Sequence, residues 1–167
     1  MDTIHETFST LTAANEITRY VGDNLPTEPA DAEVVRHLVR LEAAKAMEEA
    51  RITGERGDIA GGRARLDAML AKTTNVLTAL GITEAEDVMM AEVASDLRLA
   101  SKNMTSASQF NSYGRSQMQS AAQSHAFQRS NKVDSMMDSD ECVERNAYAN
   151  ASKKKMMKDA KSAFGYS

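Results

Sequence analysis

Apolar residues along most of this chain recur every three or four positions, the spacing of an α-helix that buries one face. The first such segment covers residues 3–21, and its apolar stripe consists of Ile4, Phe8, Leu11, Ile17 and Val21. Pro26 and Pro29 then interrupt the pattern, because proline does not fit inside a helix. The sequence therefore predicts a first helix that ends before these two prolines.

The pattern that follows predicts a central pair of helices. The helix over residues 31–56 carries two neighbouring apolar rows, Val34, Leu38, Leu41 and Ala44 in one and Val35, Val39, Ala43, Ala46 and Ala50 in the other. Two rows make a wide apolar face, which is typical of a central helix. Gly57 and Asp58 are predicted to end this helix and cap the next one, which stops at Gly81. We expect an all-α bundle of five to six helices around an antiparallel hairpin spanning residues 32–80.

The second half of the chain predicts two or three further helices. Thr83 and Glu86 form a capping-box pattern ahead of a stripe that consists of Met90, Val93, Leu97, Ala100 and Met104. Residues 108–130 give a helix, separate from or continuous with the preceding one, that buries Phe110, Gly114, Met118, Ala121 and His125. Its Ser- and Gln-rich face is either a contact surface or an ordinary solvated one. An acidic linker (131–141) and a last helix (142–164) follow, so the predicted division is a helical domain, 1–130, and a linker with a basic C-terminal helix or tail, 131–167.

Composition supports a helical fold and narrows the partners. The chain has no Trp and 5% aromatic residues, which is low for a β-sandwich or barrel. A net charge of −4 argues against nucleic acid as a partner, because phosphate binding requires clustered cations. Cys142 is the only cysteine, which excludes an internal disulfide and fits a reducing compartment. With no long apolar run and no signal-peptide pattern, we expect an intracellular, cytoplasmic protein, and a cleaved organelle leader stays open.

The candidate chemistry is sparse. His125 is the natural candidate for catalysis, but a catalytic histidine needs an orienting carboxylate and a nucleophile. Its sequence neighbours offer only Ser124, Gln128 and Arg129, so a hydrogen-bonded packing histidine is the favoured interpretation. The histidines and the single cysteine lack the spacing of metal ligands. The sequence therefore predicts no enzyme activity, no metal and no cofactor, unless another helix brings an acid to His125.

Two segments carry a family resemblance. Residues 43–70, AAKAMEEARITGERGDIAGGRARLDAML, resemble a single tetratricopeptide-type helical hairpin. Residues 113–129, YGRSQMQSAAQSHAFQR, are similar to the C-terminal helical region of von Willebrand factor A-domain proteins, including plant members that also carry a RING finger. The chain has no room for the A domain itself and lacks the RING cysteines. The resemblance thus implies only the helical appendage, without adhesion, metal binding or ubiquitin transfer.

These patterns together predict a non-enzymatic helical scaffold or adaptor, a subunit of a larger protein assembly. The predicted partner-contact residues lie in two groups, which are Tyr113, Arg115, His125, Phe127, Gln128 and Arg129 on the fifth helix and Lys153, Lys154 and Lys155 on the tail. The alternative is a peripheral membrane protein that binds lipid through its basic C-terminal helix. The oligomeric state is not predicted.

Overall fold

The structure is a computed structural model that describes residues 30–129 and 147–164, together with the isolated positions 12 and 14. These residues contain helices and no strand, which confirms the all-α fold. The helices are α1 (Ala32–Glu55), α2 (Ile59–Leu80), α3 (Val88–Asn103), α4 (Ala107–Gln109), α5 (Arg115–Phe127) and α6 (Ala151–Phe164). A π-helical turn, Phe110–Gly114, joins α4 to α5. The predicted first helix, the acidic linker and Cys142 lie outside the described residues.

Helices α1 and α2 form the predicted hairpin. The Asp31 carboxylate accepts the backbone N–H of Glu33 at 2.8 Å and so caps α1, and Asp58 accepts the N–H of Gly61 at 2.8 Å and caps α2. Between the helices, Gly57 has a φ of 90°, a left-handed conformation that a side chain would strain. Glu49 of α1 pairs with Arg65 of α2, and the earlier Glu42 of α1 pairs with the later Lys72 of α2. Residue numbers therefore fall along α1 as they rise along α2, so the two helices are antiparallel.

The two apolar rows of α1 differ in how far they are buried. Helices α2, α3 and α5 pack on the row that contains Val39, Ala43, Ala46 and Ala50, so α1 is central among the described helices. The other row was predicted to be buried as well, and for most of its length this prediction is wrong. Val34, Leu38 and Leu41 are 64%, 55% and 47% exposed, because the described helices that pack on α1 lie on its other side. We call these three residues the outer row.

Helix α3 buries its predicted stripe but begins later than predicted. The carboxylate of Glu86 accepts both the N–H and the hydroxyl of Thr83 at 2.8 Å, which closes a local turn and uses the hydroxyl as a donor. Asp87 caps the helix instead, since its Oδ1 atom accepts the Met90 N–H at 3.0 Å. The capping-box prediction is therefore wrong for the start of α3, while Met90, Val93, Leu97, Ala100 and Met104 are all buried as expected.

The stretch from α4 to α5 is separate from α3 and buries the face predicted for residues 108–130. Phe110, Gly114, Met118, Ala121 and His125 are all buried. Phe110 points at the corner of the hairpin, where a Cβ atom added to Gly54 would lie 2.8 Å from its ring. The helix ends at Phe127 rather than near Ser130, because Gln128 adopts a left-handed φ of 52°.

The last helix begins about nine residues later than predicted. Residues 147 and 148 form a turn, and Asn150 then caps α6 by accepting the N–H of Lys153 at 2.8 Å. Because this cap stops the helix from extending backward, the prediction of a helix over 147–150 is wrong. Among the described residues, no helix is long and apolar enough to cross a membrane.

Candidate functional site: the outer surface of helices α1 and α5

The predicted contact residues of the fifth helix lie at its two ends. At the start, Tyr113 and Arg115 are exposed, and the Arg115 Nε atom lies 3.9 Å from the Glu55 carboxylate of α1. At the far end, Phe127, Gln128 and Arg129 are exposed, and Phe127 keeps 70% of its surface in contact with solvent. A single exposed apolar side chain is normal, so Phe127 is informative only as part of a larger exposed apolar patch.

Phe127 and the outer row meet at a groove between α1 and α5. The groove has a volume of about 370 Å³. Its apolar lining consists of Leu41, Ala44, Ala122, Ala126 and Phe127, and its polar rim consists of Lys45, Glu48, Gln119 and Gln123. We call this feature the α1–α5 groove. Since Leu41 belongs to both the groove and the outer row, the two form one continuous apolar surface.

An ionic network holds one end of the groove in place. Arg51 donates to Glu48 and to Glu55, both at 2.5 Å, and Arg115 of α5 approaches Glu55 from the other side. The hydrogen bond from Arg51 lowers the pKa of the Glu48 carboxyl below its usual value. Two charged side chains therefore flank the groove, the ionised carboxylate of Glu48 and the exposed ammonium group of Lys45.

His125 does not belong to this surface, because it is completely buried. The Asp96 carboxylate of α3 lies 3.0 Å from its Nε2 atom, and the Tyr148 hydroxyl lies 2.9 Å from its Nδ1 atom. With Asp96 ionised, Nε2 carries the proton and Nδ1 accepts from the tyrosine. Arg40 of α1 donates to the His125 carbonyl oxygen, so three helices meet at this residue.

Tyr148 joins the turn before α6 to the same cluster. Besides its hydroxyl contact with His125, its ring meets the imidazole edge-on at 5.6 Å. The neighbouring N–H of Ala147 donates to the Glu92 carboxylate of α3 at 2.7 Å. Burial, together with the negative charge of Glu92, raises the pKa of the Tyr148 hydroxyl. The tyrosine is therefore held as a neutral donor, and this contact connects residues 147–150 to the rest of the fold.

His125 is closed off from solvent within this cluster. Asp96 orients the imidazole as an acid orients a catalytic histidine, but the ring has no exposed face on which a substrate could rest. His125 fits the packing interpretation, and it offers no surface to a partner. Within the described parts of the chain, no three His, Cys, Asp or Glu side chains are grouped to hold a metal ion.

The charged residues around His125 were not predicted from the sequence. Asp96 and Glu92 lie on the buried side of α3, beside Val93 and Leu97, and Arg40 lies between Val39 and the alanines of α1. A charged residue among core positions is a signal that a buried polar partner exists. That signal was present in the sequence, but it does not say which helix supplies the partner.

The three lysines predicted to contact partners lie in the first turn of α6. Lys153 and Lys154 are half-buried, and Lys155 is exposed. Met156 beside them is also exposed. None of these lysines lines the α1–α5 groove. The predicted contact residues therefore lie on two separate elements, the stretch that leads into and out of α5 and helix α6.

Comparisons of this chain with protein-family models, with curated proteins and with solved structures found no match.

Proposed function

We propose that this chain is a non-enzymatic scaffold or adaptor that receives an apolar helix of another protein on the outer row and the α1–α5 groove. The observation that carries the proposal is the continuous apolar surface of Val34, Leu38, Leu41 and Phe127, each about half or more exposed. A groove between two helices with an apolar floor and a polar rim is the usual receptor for an amphipathic helix. The resemblance to a helical appendage of larger proteins agrees with the non-enzymatic part of the proposal, because that appendage implies no catalytic role.

The energy available at this surface is large enough to matter. Full burial of a Val, Leu or Phe side chain contributes about 1.5–3 kcal/mol relative to exposure. Four side chains that are half or more exposed therefore offer on the order of 5 kcal/mol to a partner that covers them. Association also costs translational and rotational entropy, which opposes binding. Burial of the α1–α5 groove lining must therefore add to the binding free energy.

Introducing negative charge into the outer row tests the proposal. The variant Leu38→Glu/Leu41→Glu places two carboxylates in the surface, and Leu99→Glu places the same change on an exposed leucine of α3. Each chain is purified natively from cells, and every co-purifying protein is quantified relative to it. We expect a stoichiometric partner with the unchanged chain and with Leu99→Glu, and its loss with the double variant. A partner that stays bound to the double variant contradicts the proposed surface.

Lipid binding by α6 is the second candidate function. Lys153, Lys154, Lys155, Lys158 and Lys161 all fall within α6, and Met156 is exposed beside them. Lysines near an anionic membrane contribute about 1 kcal/mol each, and an exposed apolar side chain adds a hydrophobic contribution. This combination is typical of a basic helix that lies on a membrane surface.

Vesicle flotation distinguishes this candidate from protein binding. The full chain is mixed with vesicles of neutral lipid or of neutral lipid with phosphatidylserine, at low and high salt. Lipid binding predicts flotation only with phosphatidylserine, its loss in Lys154→Glu/Lys155→Glu, and its retention in the charge-matched Lys45→Glu/Lys102→Glu. Flotation that the first variant leaves unchanged dismisses a role for α6.

A further inference from the structure

We propose that a second copy of this chain covers the outer row, so that the two α1 helices pack against each other in antiparallel orientation around a two-fold axis. The axis passes between the levels of Leu38 and Leu41. The proposed dimer uses the same surface as the proposed function and rests on it, and it names the occupant of that surface when no partner helix is bound. It is carried by the spacing of the exposed residues of α1 and by the order of their charges.

The outer side of α1 has the spacing of a coiled-coil seam. Val34, Leu38, Leu41, Lys45 and Glu48 follow one another at intervals of four, three, four and three residues. Two helices with stripes of this spacing, about 3.5 residues per repeat, keep the stripes in contact as they wind around each other. The first three residues are apolar and about half or more exposed, and the last two are charged. The seam therefore has an apolar half and a charged half.

The charged half decides the orientation of the two copies. In a parallel pair each residue lies opposite the same residue of the second copy, so Lys45 would face a second Lys45 and Glu48 a second Glu48. Like charges in such close contact repel each other. An antiparallel pair avoids this repulsion, because placing Leu38 opposite Leu41 of the second copy puts Lys45 opposite Val34. The two-fold axis then repeats both contacts, as it does in a closed dimer.

The antiparallel arrangement also brings opposite charges together. Glu33 precedes Val34, so its carboxylate, whose side chain is 75% exposed, lies at the level of Lys45 of the second copy. The Lys45 side chain is 77% exposed, and its ammonium group lies 3.9 Å from Glu49 of the same helix, too far for a direct hydrogen bond. Lys45 can therefore pair with Glu33 of the second copy without losing a hydrogen bond of its own. Two such ion pairs flank the apolar centre of the dimer.

The apolar centre extends onto α5. Leu41 belongs to both the outer row and the α1–α5 groove, so Leu38 of the second copy, which packs on Leu41, also covers the groove beside Phe127. A contact of one helix face from each copy is at the lower end of specific interfaces, which bury roughly 800 Å² per partner. We therefore expect a weak dimer with a dissociation constant on the order of 10–100 μM. Because a partner helix covers the same residues, dimerisation and partner binding exclude each other.

Sedimentation equilibrium of the purified full chain measures the dimer directly. We expect masses between 18.2 kDa and twice that value, with no larger species, because a two-fold contact closes on itself. Leu38→Glu places two carboxylates at the apolar centre and should raise the dissociation constant at least about tenfold. Leu99→Glu makes the same change on an exposed leucine of α3 and should leave the dissociation constant unchanged. Circular dichroism verifies that each variant keeps its helix content.

A charge exchange tests the antiparallel register. Lys45→Glu and Glu33→Lys each turn both ion pairs of the dimer into repulsions, so each variant alone should raise the dissociation constant about three- to tenfold. In an equimolar mixture of the two variants, both contacts of the mixed pair join opposite charges. The mixture should therefore associate within about twofold of the unchanged chain. Lys102→Glu changes the charge equally at an exposed position of α3, and it should neither weaken the dimer nor rescue Glu33→Lys.

Three results would overturn the proposed dimer. They are a mass of 18.2 kDa at every concentration up to roughly 1 mM, a dimer that Leu38→Glu leaves intact, and a mixture of Lys45→Glu with Glu33→Lys that associates no more tightly than either variant alone. The proposed function fails separately, because it is judged by whether a different protein is lost from Leu38→Glu/Leu41→Glu. If both hold, raising the concentration of the chain above its dissociation constant should lower the fraction of chains that bind that protein.

Discussion

The contact between Phe110 and Gly54 positions the start of the α4–α5 stretch on the α1–α2 hairpin, and Gly54→Ala tests it. A Cβ atom at residue 54 would lie 2.8 Å from the Phe110 Cζ atom and 2.9 Å from Cε2. Carbon atoms normally pack about 3.5–4.0 Å apart, so the ring must shift by about 0.7 Å or more. Overpacking of this kind costs about 1–3 kcal/mol, and alanine regains up to about 1 kcal/mol in helix propensity. We expect a net destabilisation of about 1 kcal/mol.

This cost should depend on the aromatic ring. In a Phe110→Leu background the two clashing ring atoms are absent, and only the flexible end of Met104, whose Cε atom lies 3.0 Å from the added Cβ, still has to move. Gly54→Ala should then become stabilising by up to about 1 kcal/mol. The coupling energy between the two changes should therefore be about 2 kcal/mol. Gly57→Ala is the control, because it introduces a strained left-handed alanine with no neighbour within 4 Å and should cost the same in both backgrounds.

The assay is urea unfolding followed by far-UV circular dichroism, with the midpoint and slope fitted for each of the six proteins. Equal slopes justify comparing the free energies of unfolding directly. If Gly54→Ala costs the same in the presence and absence of the Phe110 ring, the ring does not pack on the hairpin corner. A stabilising effect of Gly54→Ala in the unchanged background would refute the close approach itself.

Three further predictions concern the interior and the start of α3. The free energy of unfolding of the unchanged chain should fall as the pH rises above about 10, because the pKa of Tyr148 is higher in the folded than in the unfolded chain, and Tyr148→Phe should lack this part of the fall; stability–pH curves from urea melts that stay parallel would contradict this. Asp96→Asn should cost about 1.5–3 kcal/mol by weakening the charge-assisted bond to His125, and a loss below 0.5 kcal/mol in the same melts would argue against that bond. Asp87→Ala removes both the α3 cap and the ion pair with Arg36, so thermal melts should show a loss of about 1–3 kcal/mol, reduced when Arg36 is first replaced by methionine.

The helices and their turns were predictable because their signals are local. Gly57 and Asp58 supply a left-handed residue and a cap within two positions, and neither depends on distant contacts. The buried face from Phe110 to His125 also followed from spacing, although Phe110–Gly114 forms a π-helical turn that the spacing did not indicate. The predicted face stays buried across this wider turn, although the polar residues Gln117 and Ser124 of α5 are buried as well.

The features that escaped prediction depend on what each residue meets in three dimensions. Spacing showed that α1 has two apolar rows, but the number of covering helices decided that Leu38 stays exposed and Ala43 does not. His125 is buried and hydrogen-bonded, but its partners Asp96 and Tyr148 come from 29 residues before and 23 residues after it, which spacing along the chain does not reveal. The pattern at Thr83 predicted a capping box at the start of α3. In the structure the Thr83 hydroxyl donates to Glu86, and Asp87 caps the helix by accepting the Met90 N–H.

The central claim, that the outer surface of α1 receives another protein's helix, is tested most directly by site-specific photocrosslinking in cells. A photoreactive amino acid replaces Leu41, which lies in both the outer row and the α1–α5 groove, and the same amino acid replaces Leu99 of α3 as the control. We expect one abundant protein adduct from position 41 that position 99 does not give, and we expect the crosslinked peptide of the partner to carry an apolar helical face. No adduct at position 41, or the same adduct from both positions, would contradict it.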